Sequence, residues 1–314
     1  MRELKLFAAQ LHKDDEIAVE ATGNTRLFYD QVVKRVARGV VVNPSQFKVI
    51  SQSVKKTDRN DAELLALYLS KGLLPEVRMK DHEHRGMAHL AQTCDLLVKQ
   101  RSALKGKVNN LLSAEGINPK RETLSSNKAL ERVLALPLSP ILATEVRVLI
   151  GPIRSLTGSI AELEEVIEEE GPKLAGHQNL MSIKGIAPVS ATLLLSTIGK
   201  IEDFADPGKL AAYVGLVPRV QNSNETERSG RITKQGNKLV RTALVQCALV
   251  AKRYSPYLQQ FYQRIQRRRG GGKALVALAR KFLGVIYHTL TTQLGVRRLP
   301  QLCPGLLKQA TTNN

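Results

Sequence analysis

The sequence has no tryptophan, and only 4% of its 314 residues are aromatic. Its three cysteines, Cys94, Cys247 and Cys303, lie too far apart for a CxxC metal site. Near the N-terminus no apolar segment precedes a small-residue cleavage site, so neither a secretory signal nor a disulfide framework is expected. No uninterrupted apolar run approaches the roughly 18 residues of a membrane span. These absences disfavour secreted, membrane and zinc-ribbon proteins and favour a cytosolic one.

Acidic residues are missing from one part of the chain. Between Arg228 and Asn314 there is no Asp or Glu, although 17 Lys and Arg occur there. The formal net charge is +19, and the preceding residues contribute only +2 of it. Solubility alone would be served by mixed charges, so the excess predicts a polyanionic partner, above all nucleic acid. An anionic membrane surface or an acidic protein is the alternative.

Residues 1–78 alternate between helical and extended patterns. Short helices are predicted near Leu4–Leu11 and Leu27–Ala37, and apolar strands at Ile17–Gly23 and Gly39–Pro44. A further helix is predicted at Asp61–Leu73. Strands that alternate with helices indicate a parallel α/β unit, here with a thin sheet of two strands and an open edge.

Residues 79–177 contain two heptad patterns joined by a polar connection, Gly116–Pro140. They predict either an antiparallel helical hairpin packed within the chain or a coiled coil that mediates self-association. Arg101 occupies a seam position, where it sets the register or extends to solvent, and Pro152 is expected to kink the second helix. The heptad positions are Met87, Leu90, Cys94, Leu97, Arg101, Leu104, Val108 and Leu111, and then Leu142, Val146, Leu149, Ile153, Leu156, Ile160, Leu163 and Ile167.

Residues 178–292 carry most of the basic excess, and residues 293–314 form a tail expected to be loosely ordered. The segment Met181–Ala191 is similar to a helix-hairpin-helix turn, with Gly185 at the tight turn and a helix starting at Ala187. In such a turn the glycine lets the backbone approach a phosphate, and the backbone N–H groups at the start of the next helix bind it. A purely structural cap is the alternative.

Gly215–Asn237 is predicted to be a long polar loop between helices, and it contains Ser223 and Ser229. A serine beside arginines can attack a phosphodiester, because guanidinium groups stabilise the developing negative charge. The alternative is a turn-forming role without chemistry.

Three carboxylates in residues 1–78 form a candidate metal site. Glu20 lies within a predicted strand, and Asp58 and Asp61 project from one face of a helix start. Carboxylates that converge from a strand and a helix suit Mg²⁺, and paired Mg²⁺ ions are a common device for phosphodiester chemistry. Alternatively, Asp58 and Asp61 only stabilise a helix N-terminus.

Basic residues of the C-terminal part are the predicted nucleic-acid contacts. The run Arg267–Lys273 is interpreted as a phosphate-contacting turn, with Tyr254, Tyr257 and Tyr262 available for base stacking or for core packing. The full set is Gly185, Arg219, Arg228, Arg231, Lys234, Lys238, Arg241, Arg267, Arg268, Arg269 and Lys273.

Several of these motifs together resemble one known family. Ala18–Gly23, Val42–Pro44, Lys56–Ala62 and the stretch from Gly215 through Ser223 to Asn237 are similar to the DEDD insertion-sequence transposases. That family is numbered one-hundred-and-ten, with an eleven-eleven subgroup and related pilin-gene invertases. The resemblance covers nearly the whole chain, in order. It implies a RuvC-like (RNase H-like) domain, a central coiled coil, a serine transposase domain, Mg²⁺, a homo-oligomer, DNA and a structured noncoding guide RNA.

The resemblance assigns roles to four residues. Glu20, Asp58 and Asp61 match the second, third and fourth acidic residues, and Ser223 matches the serine that forms a phosphoserine link with DNA. The first aspartate normally precedes the glutamate by some fifty residues, whereas 19 residues precede Glu20 here. The sequence is therefore interpreted as N-terminally truncated or as having a misplaced start.

A second departure concerns the residue after the serine. Asn224 replaces the usual glycine, but asparagine tolerates left-handed backbone geometry, so the turn can persist. Ser229, which precedes Gly230, is the fallback nucleophile.

The predicted fold is mainly α, with a partial RuvC-like α/β domain, a central antiparallel coiled coil and an α-helical C-terminal domain with a helix-hairpin-helix-like turn. The predicted function is a cytoplasmic, nucleoid-associated bacterial DNA transposase or recombinase, guided by RNA. The alternatives are a catalytically inactive nucleic-acid-binding remnant and a junction nuclease without a serine step.

Overall fold

A computed structural model describes residues 2–47, 57–117, 124–223 and 226–291, without the side chains of residues 220–223, 226–229 and 231. The chain divides into two compact units, Met1–Lys80 and Asp81–Asn314. Ser223 therefore belongs to the second unit, and Glu20, Asp58 and Asp61 belong to the first. The predicted tail, residues 293–314, lies outside the described residues.

The N-terminal unit follows the predicted order of helices and strands. Thr57 is the N-cap of the last of these helices, because its side-chain oxygen accepts a hydrogen bond from the Asn60 amide, 3.3 Å away. The order is α1 (Arg2–Ala9), β1 (Glu16–Glu20), α2 (Thr25–Val32), β2 (Arg38–Val42) and α3 (Asp58–Ser70).

The sheet of this unit is parallel, as predicted. β1 and β2 pair in register from Glu16 opposite Arg38 to Glu20 opposite Val42. Beyond β2 an isolated antiparallel bridge joins Val42 to Glu76, so the edge of β2 is partly covered where an open edge was expected. A small apolar core lies against α3 and consists of Val40, Val42, Phe47, Leu69 and Leu74.

Two long helices form an antiparallel pair in the C-terminal unit. They are α4 (His82–Ala114) and α6 (Pro140–Glu170). Cys94, early in α4, packs near Ile160 and Ile167, late in α6, whereas Val108 packs near Leu142 at the other end. The heptad side chains thus meet within the chain, which agrees with the predicted helical hairpin.

Three details of this hairpin extend or correct the prediction. The polar connection between the two heptad patterns contains a helix that was not predicted, α5 (Asn127–Leu134), capped by Ser126. Helix α6 continues through Pro152. At the seam Arg101 reaches across to the Thr157 hydroxyl, 3.4 Å away, so its charge lies at the edge of the interface.

The remaining helices surround one large apolar core that also receives Met87 and Ala91 from α4. Helix α12 packs against α9, α10 and α11. It is long and apolar enough to cross a membrane, yet half of its apolar window is buried, as in a core helix. The elements after α6 are α7 (His177–Met181), α8 (Pro188–Ile198), α9 (Pro207–Val214), β3 (Pro218–Ser223), β4 (Thr226–Ile232), α10 (Lys238–Ala251), α11 (Pro256–Arg269) and α12 (Gly271–Thr291).

Candidate functional site

The segment expected to be an irregular loop is an antiparallel β-hairpin, which corrects the prediction of an entirely helical C-terminal domain. β3 and β4 pair from Pro218 opposite Ile232 to Ser223 opposite Thr226, with a register shift between Pro218 and Val220. Polar residues dominate both strands, so the alternation of apolar and polar residues that usually marks a strand is weak here.

Two glycines hold the base of the hairpin together. Gly215 has a φ of +78° and Gly236 a φ of +84°, a backbone region that residues with a side chain rarely adopt. A Cβ on Gly215 would overlap the carbonyl oxygen of Gln235, and one on Gly236 would overlap that of Tyr213. The two chain segments therefore touch main chain to main chain, which only glycine permits.

Arg241 completes this base. Its Nη1 donates to the carbonyl oxygens of Val214, Gln235 and Gly236, each 3.0 Å away. Burial lowers the pKa of the Arg241 guanidinium from its ordinary value. Arg241 was predicted to contact nucleic acid, but its guanidinium instead donates hydrogen bonds to main-chain carbonyls on both sides of the hairpin. Sequence reasoning missed this role, for which the two glycines flanking the polar segment were the available signal.

Ser223 is the last residue of β3, at the tip of the hairpin. Five residues of extended chain separate it from Pro218, a distance of about 17 Å. Ser229 pairs with Val220 in the middle of the hairpin. The side chains of both serines, and Asn224 itself, lie outside the described residues.

The predicted basic contacts occupy several elements of the C-terminal unit. Arg219 is exposed in β3, Lys238 is the first residue of α10, and Lys234 has an unusual φ of +55°. Arg267, Arg268 and Arg269 are exposed in the last turn of α11, where cations also stabilise the helix dipole. Lys273 is exposed in α12. The side chains of Arg228 and Arg231 lie outside the described residues.

Gly185 packs against the chain itself. It has a φ of +102°, and a Cβ there would lie 2.8 Å from both the Ala251 nitrogen and the Cys247 oxygen of α10. The close backbone approach predicted for a phosphate is thus made to a helix of the same unit. The next helix starts at Pro188, with Ala187 as its N-cap, as the sequence pattern predicts.

The predicted carboxylates lie on two elements of the N-terminal unit. Glu20 ends β1, opposite Val42 of β2, and Asp58 and Asp61 lie in the first turn of α3. No group of three or more His, Cys, Asp or Glu side chains among the described residues is placed to hold a metal ion, so these three do not form such a group.

One carboxylate nevertheless has an unusual environment. The Oδ1 atom of Asp61 is buried and has no hydrogen-bond partner among the described residues, whereas Asp58 is exposed. A single buried oxygen is too few ligands for Mg²⁺, which takes six. The described residues therefore do not fit the predicted magnesium site, and the metal role of Glu20, Asp58 and Asp61 stays a prediction from the family resemblance.

Two family models match the chain. One, described as the Transposase IS116/IS110/IS902 family, matches residues 177–263. The other, a DEDD model described as a transposase, matches residues 1–116. Together they span more than half of the chain, including β3 and β4, Glu20, Asp58 and Asp61.

Named relatives agree with these matches. The chain is 28% identical over 284 residues to a transposase for insertion sequence element IS1111A of Coxiella burnetii, covering 88% of this chain and 78% of the relative. It is 28% identical over 289 residues to a probable family 20 transposase of Pseudomonas aeruginosa, covering 88% and 84%. A transposase for insertion sequence element IS1328 of Yersinia enterocolitica is 27% identical over 202 residues, covering 62% and 58%.

Proposed function

Because the chain belongs to the insertion-sequence transposases of the IS110/IS1111 type, we propose that it cuts and joins DNA strands with Ser223 as the nucleophile. The observation that carries this proposal is the position of Ser223 at the tip of a hairpin whose base is closed by Gly215, Gly236 and Arg241. A rigid base and a projecting tip present one residue to a large substrate such as duplex DNA.

The proposed reaction exchanges one phosphate ester for another. The Ser223 hydroxyl loses its proton to solvent or a base, and its oxygen bonds to phosphorus while the bond to one deoxyribose oxygen breaks. That deoxyribose oxygen leaves as a hydroxyl after it gains a proton. A hydroxyl of another strand then attacks the phosphoserine and releases Ser223, so the number of phosphodiesters is conserved.

Ser223→Ala tests the nucleophile, with Ser229→Ala as the matched control in the same hairpin. Ser223→Ala should abolish strand exchange and the covalent protein–DNA adduct, and DNA affinity should stay within about three-fold because one hydroxyl adds little to a phosphate interface. Adduct formation by Ser223→Ala that is lost in Ser229→Ala would move the role to Ser229.

We propose that the basic C-terminal unit supplies the DNA affinity. No ion pair with a carboxylate is found among the described Lys and Arg of residues 234–281. Apart from Arg241, which donates to main-chain carbonyls, their charges are therefore available to phosphates. With five or more phosphates contacted, the slope of log affinity against log salt should exceed about −4 in magnitude. A flat response would contradict this part of the proposal.

One observation favours a second candidate function, a binding protein without catalysis. Among the described residues, Glu20, Asp58 and Asp61 do not form a group placed to hold a metal ion. DNA binding without any cleavage, in Mg²⁺ and in its absence, would support the binding-only function. Mg²⁺-dependent cleavage that Glu20→Gln removes would support the family mechanism instead.

A guide RNA and self-association are further proposals taken from the family. Support for self-association comes from apolar side chains left exposed on α6, above all Ile141 at 79% and Val148 at 64%. Light scattering should show a multimer that Ile141→Glu with Val148→Glu dissociates. For the RNA, a transcript of the element's noncoding region should bind more tightly than a scrambled transcript of equal length.

A further inference from the structure

Two tyrosines project into solvent where α10 meets α11. Tyr254 is 50% exposed and Tyr257 is 39% exposed, whereas Tyr287 in the same unit is buried with its hydroxyl on the Phe204 carbonyl, 2.9 Å away. Exposing large aromatic rings forgoes the free energy of their burial. Two exposed rings within four residues of the chain are therefore a feature that core packing does not explain.

A lysine ammonium lies near each ring. Lys184 Nζ is 5.3 Å from the centre of the Tyr254 ring, and Lys281 Nζ is 5.4 Å from that of Tyr257. Both distances are within the range of a cation–π interaction. The two lysines come from different elements, the turn before α8 and helix α12. That turn is fixed in place because Gly185 packs directly on the backbone of α10.

The chain segments that form this patch contain no acidic residue. Residues 171–201, which include the Lys184 turn, contain no Asp or Glu, and neither do residues 228–314, which include α10, α11 and α12. Lys252 and the exposed Arg253 add positive charge directly before Tyr254. The patch therefore combines flat aromatic faces with cations and suits a ligand that carries both flat rings and anions.

Nucleic acid is the polymer with that chemistry, and the form of the nucleic acid also follows. In a duplex the bases are already stacked on one another, so a protein aromatic ring can stack only on an unpaired base. A membrane would be matched by a helix whose apolar face is exposed to solvent, whereas Leu258 of α11 is buried and Phe261 of the same helix is half-buried.

We infer that Tyr254 and Tyr257, flanked by Lys184 and Lys281, bind unpaired nucleotides of single-stranded DNA or RNA. The rings stack on successive bases, and the ammonium groups contact the phosphates between them. This inference rests on the proposed function, because it names the form of nucleic acid that one surface of the transposase binds.

Fluorescence anisotropy with the full chain tests it, using labelled single-stranded DNA, single-stranded RNA and duplex DNA of one sequence. Replacing both tyrosines (Tyr254→Leu with Tyr257→Leu) should weaken single-strand binding by about 30-fold or more, because stacking contributes about 1–3 kcal/mol per base. Duplex binding should change less than about two-fold. The matched control, Tyr254→Phe with Tyr257→Phe, keeps both rings and should retain single-strand affinity.

A second variant separates stacking from charge. Lys184→Gln with Lys281→Gln should reduce the salt slope of single-strand binding by about 1.4, at about 0.7 per phosphate contact, whereas the leucine variant should leave that slope unchanged. Equal loss of duplex and single-strand affinity in the leucine variant, or no loss, would overturn the inference. So would selective loss of binding to phosphatidylserine vesicles. If the unmodified chain binds no nucleic acid, the proposed function fails as well. Comparing single-stranded DNA with single-stranded RNA shows which of the two the tyrosines bind.

Discussion

The two units of this protein differ most in how their predicted chemistry is supported. In the N-terminal unit, a sheet of two described strands and a five-residue buried core carry Glu20, Asp58 and Asp61, which form no metal-holding group among the described residues. In the C-terminal unit, a continuous core of buried helices supports a hairpin whose base is closed main chain to main chain. Functional side chains are positioned to fractions of an ångström only where a packed scaffold restrains them.

The largest expected effect compares the two cores directly. Leu194→Ala removes a fully buried side chain from the C-terminal core and should lower the free energy of unfolding by about 3–5 kcal/mol. Leu69→Ala, in the smaller core of the N-terminal unit, should cost about 2 kcal/mol, because a thin layer relaxes around the cavity. Urea unfolding measures both variants. Equal costs would show that the two cores are packed equally well.

The hairpin base provides the next test. Gly215→Ala should destabilise the C-terminal unit by about 3 kcal/mol, since its Cβ would overlap the Gln235 carbonyl in a left-handed backbone region. Gly230→Ala, in the same hairpin but with its nearest atoms 3.6 Å away on Arg219, should cost less than about 1 kcal/mol. Thermal unfolding compares them. Similar melting temperatures for the two variants would refute a rigid hairpin base.

Arg241 gives a smaller and more specific effect. Arg241→Gln leaves carbonyl groups of Val214, Gln235 and Gly236 without their donor and should cost about 2 kcal/mol. Strand exchange should fall with it, whereas the salt slope of DNA binding should stay the same.

Lys238→Gln, at the first residue of α10, is the control for charge. It should reduce the salt slope by about one with little change in stability. If Arg241→Gln changed the salt slope of DNA binding and left the free energy of unfolding unchanged, Arg241 would be a DNA-contacting residue, as the sequence predicted.

The smallest effect is a pH dependence confined to the C-terminal unit. Burial lowers the pKa of His177 from its ordinary value of 6.5, and a contact with the Pro188 main chain opposes this only in part. Below that ordinary value the unfolded chain binds a proton that the folded chain does not, so the free energy of unfolding should fall as the pH drops below about 6.5.

His177→Gln should flatten this dependence, measured by urea unfolding between pH 7 and pH 5. The matched control is His12→Gln, at the one histidine of the N-terminal unit, which is exposed. If His12→Gln flattens the curve and His177→Gln does not, the buried histidine is not the titrating group.

Sequence patterns anticipated the fold wherever apolar spacing was strong. The heptads predicted the antiparallel pair α4 and α6, and the valine-rich run at residues 40–42 predicted β2 and its parallel pairing. They missed the β3–β4 hairpin, because residues such as Gln221, Asn222 and Glu227 carry no apolar alternation. This hairpin forms on a base that distant residues complete, and local propensity does not report it.

The candidate site was predicted unevenly for the same reason. Ser223, Glu20, Asp58 and Asp61 were candidates from residue type and spacing, and the family resemblance gave each a role. The family itself is confirmed. Whether the carboxylates meet depends on how α3 packs on the sheet, which the stretch Asp58–Asp61 does not encode. Arg241 was assigned to DNA because it is basic, and its three carbonyl partners became visible only in the folded chain.

By itself the sequence determined the composition-driven properties: an acid-free C-terminal part, the long amphipathic helices, and membership of a transposase family. These follow from residue counts and from spacings of a few residues, which a linear chain expresses directly. The tertiary structure alone decided which arginine donates to main-chain carbonyls and which tyrosines face solvent beside lysines. Those outcomes depend on contacts between residues far apart in the chain, whose distances are set by packing.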